Sequence, residues 1–99
     1  DPDDTRALSM GAANLAELGV RDRAIEWTLR VLDLDGDAAA VQYNAACTFA
    51  VLGETERALD LLERAIAVGW GDRGWLEHDG DLASLHGHPR FGALLERMG

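Results

Sequence analysis

QYNAACTFAVLGETERALDLLERAIAV, residues 42–68, carries two apolar stripes separated by one glycine. Ala45, Ala46, Phe49 and Leu52 fall on one side of a helix with 3.6 residues per turn, and Leu59, Leu62 and Ile66 do the same in the second half. Gly53 lies between them, and glycine reaches the left-handed conformation that closes a helix. The stretch therefore reads as a helical hairpin, an A helix and a B helix joined by a tight turn. Ala58 supports the pairing, because a larger side chain there would push the two helices apart.

The same pattern is written once more upstream. With a shift of 34, Ala12 falls on Ala46, Leu15 on Phe49, Leu18 on Leu52, Gly19 on Gly53, Arg23 on Arg57 and Ala24 on Ala58, without a gap. The register continues through Ile25 and Leu59, Glu26 and Asp60, Leu32 and Ile66, and Leu34 and Val68. Leu8, Ala12, Leu15 and Leu18 make the first A face, and Ile25, Leu29 and Leu32 the first B face. A repeat of this length buries its apolar side only by stacking on neighbours.

On these residues the chain resembles the tetratricopeptide repeat family. The family places small residues at its eighth, twentieth and twenty-seventh positions, which are Ala12, Ala24 and Val31 in the first unit and Ala46, Ala58 and Ala65 in the second. Gln42 stands where the family writes tryptophan and Trp70 where it writes a closing proline. Tyr43-Asn44-Ala45-Ala46-Cys47 with the Gly53-Glu54 turn looks like the end-of-array repeats of bacterial multi-domain proteins. The resemblance implies an all-α fold, helical hairpins stacked as a right-handed solenoid with a short C-terminal helical cap. It divides the chain into unit 1 at residues 5–38, unit 2 at 39–71 and a degenerate helical cap at 72–99. Residues 1–4, Asp-Pro-Asp-Asp, fall on the last positions of a preceding unit, and are expected to be its end or a linker within a longer protein.

Past Val68 the register fails. Gly69, Gly71 and Gly74 interrupt the pattern, and Trp75-Leu76-Glu77-His78 is too short for a full A helix. Two further helical pieces are expected at 81–86 and 89–98, the second opened by Pro89, which suits a first helical turn. Trp75, Leu76, Leu82, Leu85, Phe91 and Leu95 are expected to form the core of the cap, which a stack needs to keep its last apolar face from water.

Composition bounds the function classes. With 99 residues, 47% of them apolar and 27% charged, the chain has the make-up of one globular domain and not of a disordered segment. Asp and Glu number 18 against 9 Lys and Arg, a formal charge of -9, which repels phosphate backbones and anionic lipid heads. Nucleic acid and membrane are therefore not expected as partners. All the basic side chains are arginines. A single cysteine, Cys47, allows no intrachain disulfide and fits a reducing, cytoplasmic setting.

No serine, histidine and acid arrangement, glycine-rich phosphate loop or dinucleotide fingerprint is present, so neither catalysis nor a cofactor is expected. Cys47 sits among alanines with no histidine near in sequence and reads as a small buried residue. Asp33-Leu34-Asp35-Gly36-Asp37 has the alternating carboxylates of a calcium loop, but Ala38 and Asn44 occupy the places that need glycine and a bidentate glutamate. It reads as a polar turn in which Asp37 caps the next helix. His78, Asp79, Asp81, His86 and His88 form a dense cluster without a defensible metal spacing, and a metal site there is the remote alternative.

The family resemblance carries the binding surface. The concave face it implies comprises Arg6, Ser9, Ala13, Ala16 and Glu17 from the first A helix and Ala40, Tyr43, Cys47, Ala50 and Val51 from the second. Some family members hold a chaperone's C-terminal carboxylate there; Asn44 matches one of their asparagines, but Ser9 and Ala13 replace the lysine and asparagine of the first unit. The expectation is a protein interaction module, the C-terminal part of a larger cytosolic protein, docking a peptide or domain with Tyr43 as aromatic anchor and Arg6 as charge partner. The alternative is a structural module that packs on its own parent chain or on a second copy.

Overall fold

Left-handed glycines fix where the helices stop. In the computed structural model, which describes residues 4–98, Gly19 and Gly53 have φ of 80° and 79°, a region closed to most side chains. Each allows the two reverse hydrogen bonds that satisfy a helix's last carbonyls. Gly19 N and Val20 N donate to Ala16 O and Leu15 O, and Gly53 N and Glu54 N donate to Ala50 O and Phe49 O. The same pair of bonds closes the next turn, where Gly69 N donates to Ile66 O and Trp70 N to Ala65 O.

These turns separate α1 (Thr5–Glu17) from α2 (Arg21–Asp35), and α3 (Ala39–Val51) from α4 (Thr55–Ala67). The start of α3 repeats that of α1, and the start of α4 that of α2, at the shift of 34 read from the sequence. Then come α5 (Arg73–His78), a 3-10 helix over Gly80–Leu85, and α6 (Pro89–Met98). The described residues form no strand, and no helix among them is long and apolar enough to cross a membrane. Side-chain caps begin several elements. Asp4 accepts from Arg6 N and Ala7 N, Asp72 from Trp75 N, and Asp79 from Asp81 N.

Helix α3 is the hub. It packs on α4, on both helices of the first hairpin and on the 3-10 helix. Gln42, Tyr43 and every residue from Ala45 to Ala50 are buried. Alanine makes that density feasible: Ala46, Ala24 and Ala58 are wholly buried, and Ala12 nearly so, at the positions where helices meet. Around them Phe49, Leu59, Leu62, Leu76, Leu82, Leu85, Phe91 and Leu94 form the core. Each large apolar side chain so buried contributes about 1.5–3 kcal/mol.

Two arginines tie elements together at the surface. Arg21, at the start of α2, donates from Nη1 to Leu52 O (2.6 Å) and from Nη2 to Glu54, joining the first hairpin to the turn of the second. Arg90 of α6 reaches Glu56 (2.6 Å), Asp60 (2.7 Å) and Glu63 (2.7 Å), three carboxylates in successive turns along one face of α4. Glu63 and then Asp60 hold its guanidinium in the charged form.

Several sequence expectations are corrected here. Leu18 is 77% exposed because it is the C-cap residue of α1, beyond the last buried turn, and Leu29 is 47% exposed because no described element packs outside α2 at that position. Asp37 does not cap α3; Ala38 holds that place, with no side-chain bond. In the cap, Leu94 and not Leu95 is fully buried, and Trp75 is 60% exposed. The piece expected at 81–86 is the 3-10 helix. Residues 1–3, assigned to a preceding unit or linker, lie outside the described residues, and Asp4 belongs to the α1 cap.

Candidate functional site

Between α1, α3 and the start of the C-terminal segment runs an open groove of about 280 Å³. Helix α1 supplies Ser9, Met10, Ala13, Ala16 and Glu17; α3 supplies Tyr43, Asn44, Cys47, Thr48 and Val51; Trp75, Asp79 and Asp81 close the far side. Seven of the ten residues that the family resemblance implied, Ser9, Ala13, Ala16, Glu17, Tyr43, Cys47 and Val51, are thus brought to one place. Arg6 lies on a neighbouring depression with Ala40 and Val41, which shares Ser9, Met10 and Asn44 with the groove. Ala50 does not reach the groove: it is 2% exposed, and its carbonyl accepts from Ser84 Oγ at 3.1 Å.

Tyr43 is held from two sides. The left-handed turn at Gly69 delivers Trp70 onto its ring, with centroids 4.0 Å apart and planes 11° from parallel. Its hydroxyl donates to Asp79 Oδ2. With 6% exposure, Tyr43 is the groove's floor, and the open aromatic surface belongs to Trp75. Trp70, at the family's proline position, therefore has a packing role that periodicity did not reveal.

Asp79 is the electrostatic centre. Its Oδ2 accepts from the Tyr43 hydroxyl and from Cys47 Sγ at 3.8 Å, while Oδ1 accepts Asp81 N at 3.0 Å. Burial pushes the Cys47 thiol up to about 12, with the Asp79 charge adding to it. Burial, then the bond to Asp79, likewise raises the Tyr43 hydroxyl. Both groups therefore stay protonated near neutrality and donate, which holds the Asp79 carboxylate in one orientation. Asp81 is held above the usual carboxylate range by burial first, then by the charges of Asp79 and Glu17. Among the described residues, no ion pair reaches Glu17, Asp79 or Asp81.

Cys47, Asp79 and Asp81 place potential ligand atoms within 4.8 Å of one another. In this structure they are joined by hydrogen bonds, with Asp79 accepting from the Tyr43 hydroxyl, Cys47 Sγ and Asp81 N. The histidines are arranged differently. His78, His86 and His88 border a shallow depression of about 550 Å³ beside Phe91, but among the described residues they form no group of three convergent ligands. His86 stacks on Phe91 at 5.3 Å, and His88 Nδ1 accepts Arg90 N at 3.1 Å.

Sequence reasoning named Trp75 as cap core and Asp79 and Asp81 in the histidine cluster, and placed none of them on the groove. All three follow the point where the repeat stops, so no register assigns them a face. Asn44, which matches an asparagine of the family's carboxylate clamp, is exposed along the groove. Scans against family models, curated proteins and solved structures found no match to this chain.

Proposed function

We propose that this chain is a pair of tetratricopeptide-type hairpins, stacked in the right-handed sense of that family and closed by a helical cap, that works as a protein interaction module within a larger cytosolic protein. The docking surface is the groove between α1 and α3. The reading is supported by the recurrence of helix starts, turn glycines and buried alanines at one shift. The observation that carries it is the groove itself, because residues equivalent in the two repeats, Ala13 with Cys47 and Glu17 with Val51, line one continuous surface. A partner would enter as a peptide or a narrow edge of a domain, with shape supplying most of the affinity.

Selection of a phage-displayed random peptide library on the purified chain tests this. Val51→Arg is the blocking variant, since Val51 is 40% exposed on the groove, and Leu29→Arg is the control on α2. Selected peptides are expected to lose binding to Val51→Arg and keep it with Leu29→Arg. Peptides indifferent to Val51→Arg, or a selection that yields none, would defeat the proposal.

A second reading, self-association or packing on the parent chain, is favoured by one observation. The first hairpin leaves Leu18, Val20, Leu29 and Leu34 exposed. Sedimentation across a concentration series decides it: a dimer abolished by Leu29→Arg supports it, and a monomer at every concentration removes the second copy as partner.

A further inference from the structure

We infer that the groove selects a peptide carrying an arginine or lysine, whose aliphatic stem lies across Val51 and Trp75 and whose charged head reaches Asp81, Asp79 and Glu17. This deepens the docking proposal and rests on it. The groove joins two unlike surfaces. Val51 and Trp75, 40% and 60% exposed, present apolar area at its mouth, and three carboxylates line the same cavity. A long side chain with an apolar stem and a cationic tip matches that order, and few other groups do. The volume of about 280 Å³ suits one such side chain more than a small-molecule ligand.

Charge points the same way. Among the described residues, the arginine ion pairs to Glu54, Glu77, Glu56, Asp60 and Glu63 involve none of the groove carboxylates Glu17, Asp79 and Asp81. Asp79 is aimed by three donors beneath it, so its charge is fixed before a partner arrives. A cation on Asp81 would relieve the repulsion it feels from Asp79 and Glu17. The formal charge of -9 draws a basic segment from a distance and sets its approach.

The test uses the selected peptides, resynthesised with their basic residue replaced by methionine, and the variant Asp81→Asn. Asp81 makes no side-chain hydrogen bond among the described residues, so the variant is expected to fold, and circular dichroism confirms it. On the wild-type chain the methionine replacement is expected to weaken Kd about tenfold, and on Asp81→Asn about twofold or less. Four outcomes would overturn the inference. Groove-binding peptides without an enriched basic residue would sink it and leave the docking proposal standing. So would a methionine replacement that costs the same on both proteins. Peptides that bind without regard to Val51→Arg, or none at all, would remove both. Calcium chloride titrated alone is expected to give no heat that Asp81→Asn abolishes; such heat would make the carboxylates a metal site instead.

Discussion

The first hairpin and the second share a register and differ in their neighbours. Leu15 is half-buried and Phe49, its counterpart, is 1% exposed; Ile25 is half-buried and Leu59 is wholly buried. Ala13 borders the groove as a half-buried alanine, while Cys47 in its place is buried against Asp79. Among the described residues, the second hairpin lies between the first and the cap, whereas the first packs chiefly on α3. Burial of equivalent residues thus depends on what packs against each hairpin, and the two similar stretches are expected to carry unequal shares of stability.

The largest effect should separate Leu59→Ala from Ile25→Ala. Removing Leu59 leaves a cavity among α3, α4 and the cap, at a cost of about 2–5 kcal/mol. Ile25 keeps part of its surface in water, so its truncation is expected to cost about 1–2 kcal/mol. Urea unfolding followed by circular dichroism measures both. Equal losses would mean that the hairpins are equally supported, and the comparison would fail.

Next comes a difference that depends on pH. Cys47 titrates in the second hairpin where the first has Ala13. Its folded value, about 12, lies above the ordinary value of 9.0, because burial disfavours the thiolate. Below about pH 9 the thiol is neutral in both states and stability is unaffected by it. As pH rises from there towards 12 the unfolded chain loses a proton that the folded chain keeps, and stability falls by on the order of 1 kcal/mol per pH unit. Cys47→Ala should flatten that part of the curve, and an unchanged slope would show that the thiol is not held as described.

The turns should not distinguish the hairpins. Gly19 and Gly53 have nearly the same positive φ, and a Cβ on either would meet nothing within 4 Å. Gly19→Ala and Gly53→Ala are therefore expected to cost a similar, purely backbone penalty of about 1–2 kcal/mol each. A clear inequality in thermal unfolding would show that one turn is coupled to packing. Gly11, which has no equivalent glycine in the second hairpin, marks a contact particular to the first, since a Cβ there would lie 2.4 Å from the Trp27 ring.

How far the molecule could be read from sequence follows the same division. Where the repeat holds, periodicity placed the helices and their turns, because a helix of known phase fixes which side chains share a face, and the family resemblance supplied seven residues that line the groove. Exposure within the first hairpin was not legible: Leu29 has the same local pattern as a core leucine and is 47% exposed. Beyond Val68 the signal was poorer still. Asp79 and Asp81 stood out only as members of the histidine cluster, and Asp79 caps the 3-10 helix. That the same carboxylate also receives Tyr43 and Cys47 depends on how the cap folds back over α3, which no short-range pattern encodes.

The smallest effect falls where the hairpins and the cap meet. Glu17 ends α1, while Asp79 and Asp81 open the 3-10 helix against α3, and the three like charges face one groove. Asp81 is raised above its usual range in the folded chain, so its ionisation weakens the fold: stability is greatest below the unfolded carboxylate value and declines as pH rises through the folded one. Asp81→Asn removes that repulsion without touching the backbone N–H that Asp79 accepts. Because the side chain is largely open to solvent, the gain at neutral pH is expected to be only roughly a few tenths of a kcal/mol, smaller still in high salt. At pH 3 the variant and wild type should unfold together. A gain that persists at pH 3 would assign the effect to packing, and a loss at pH 7 would mean that Asp81 has a cationic partner in the folded chain, which would remove the vacancy a basic peptide is proposed to fill.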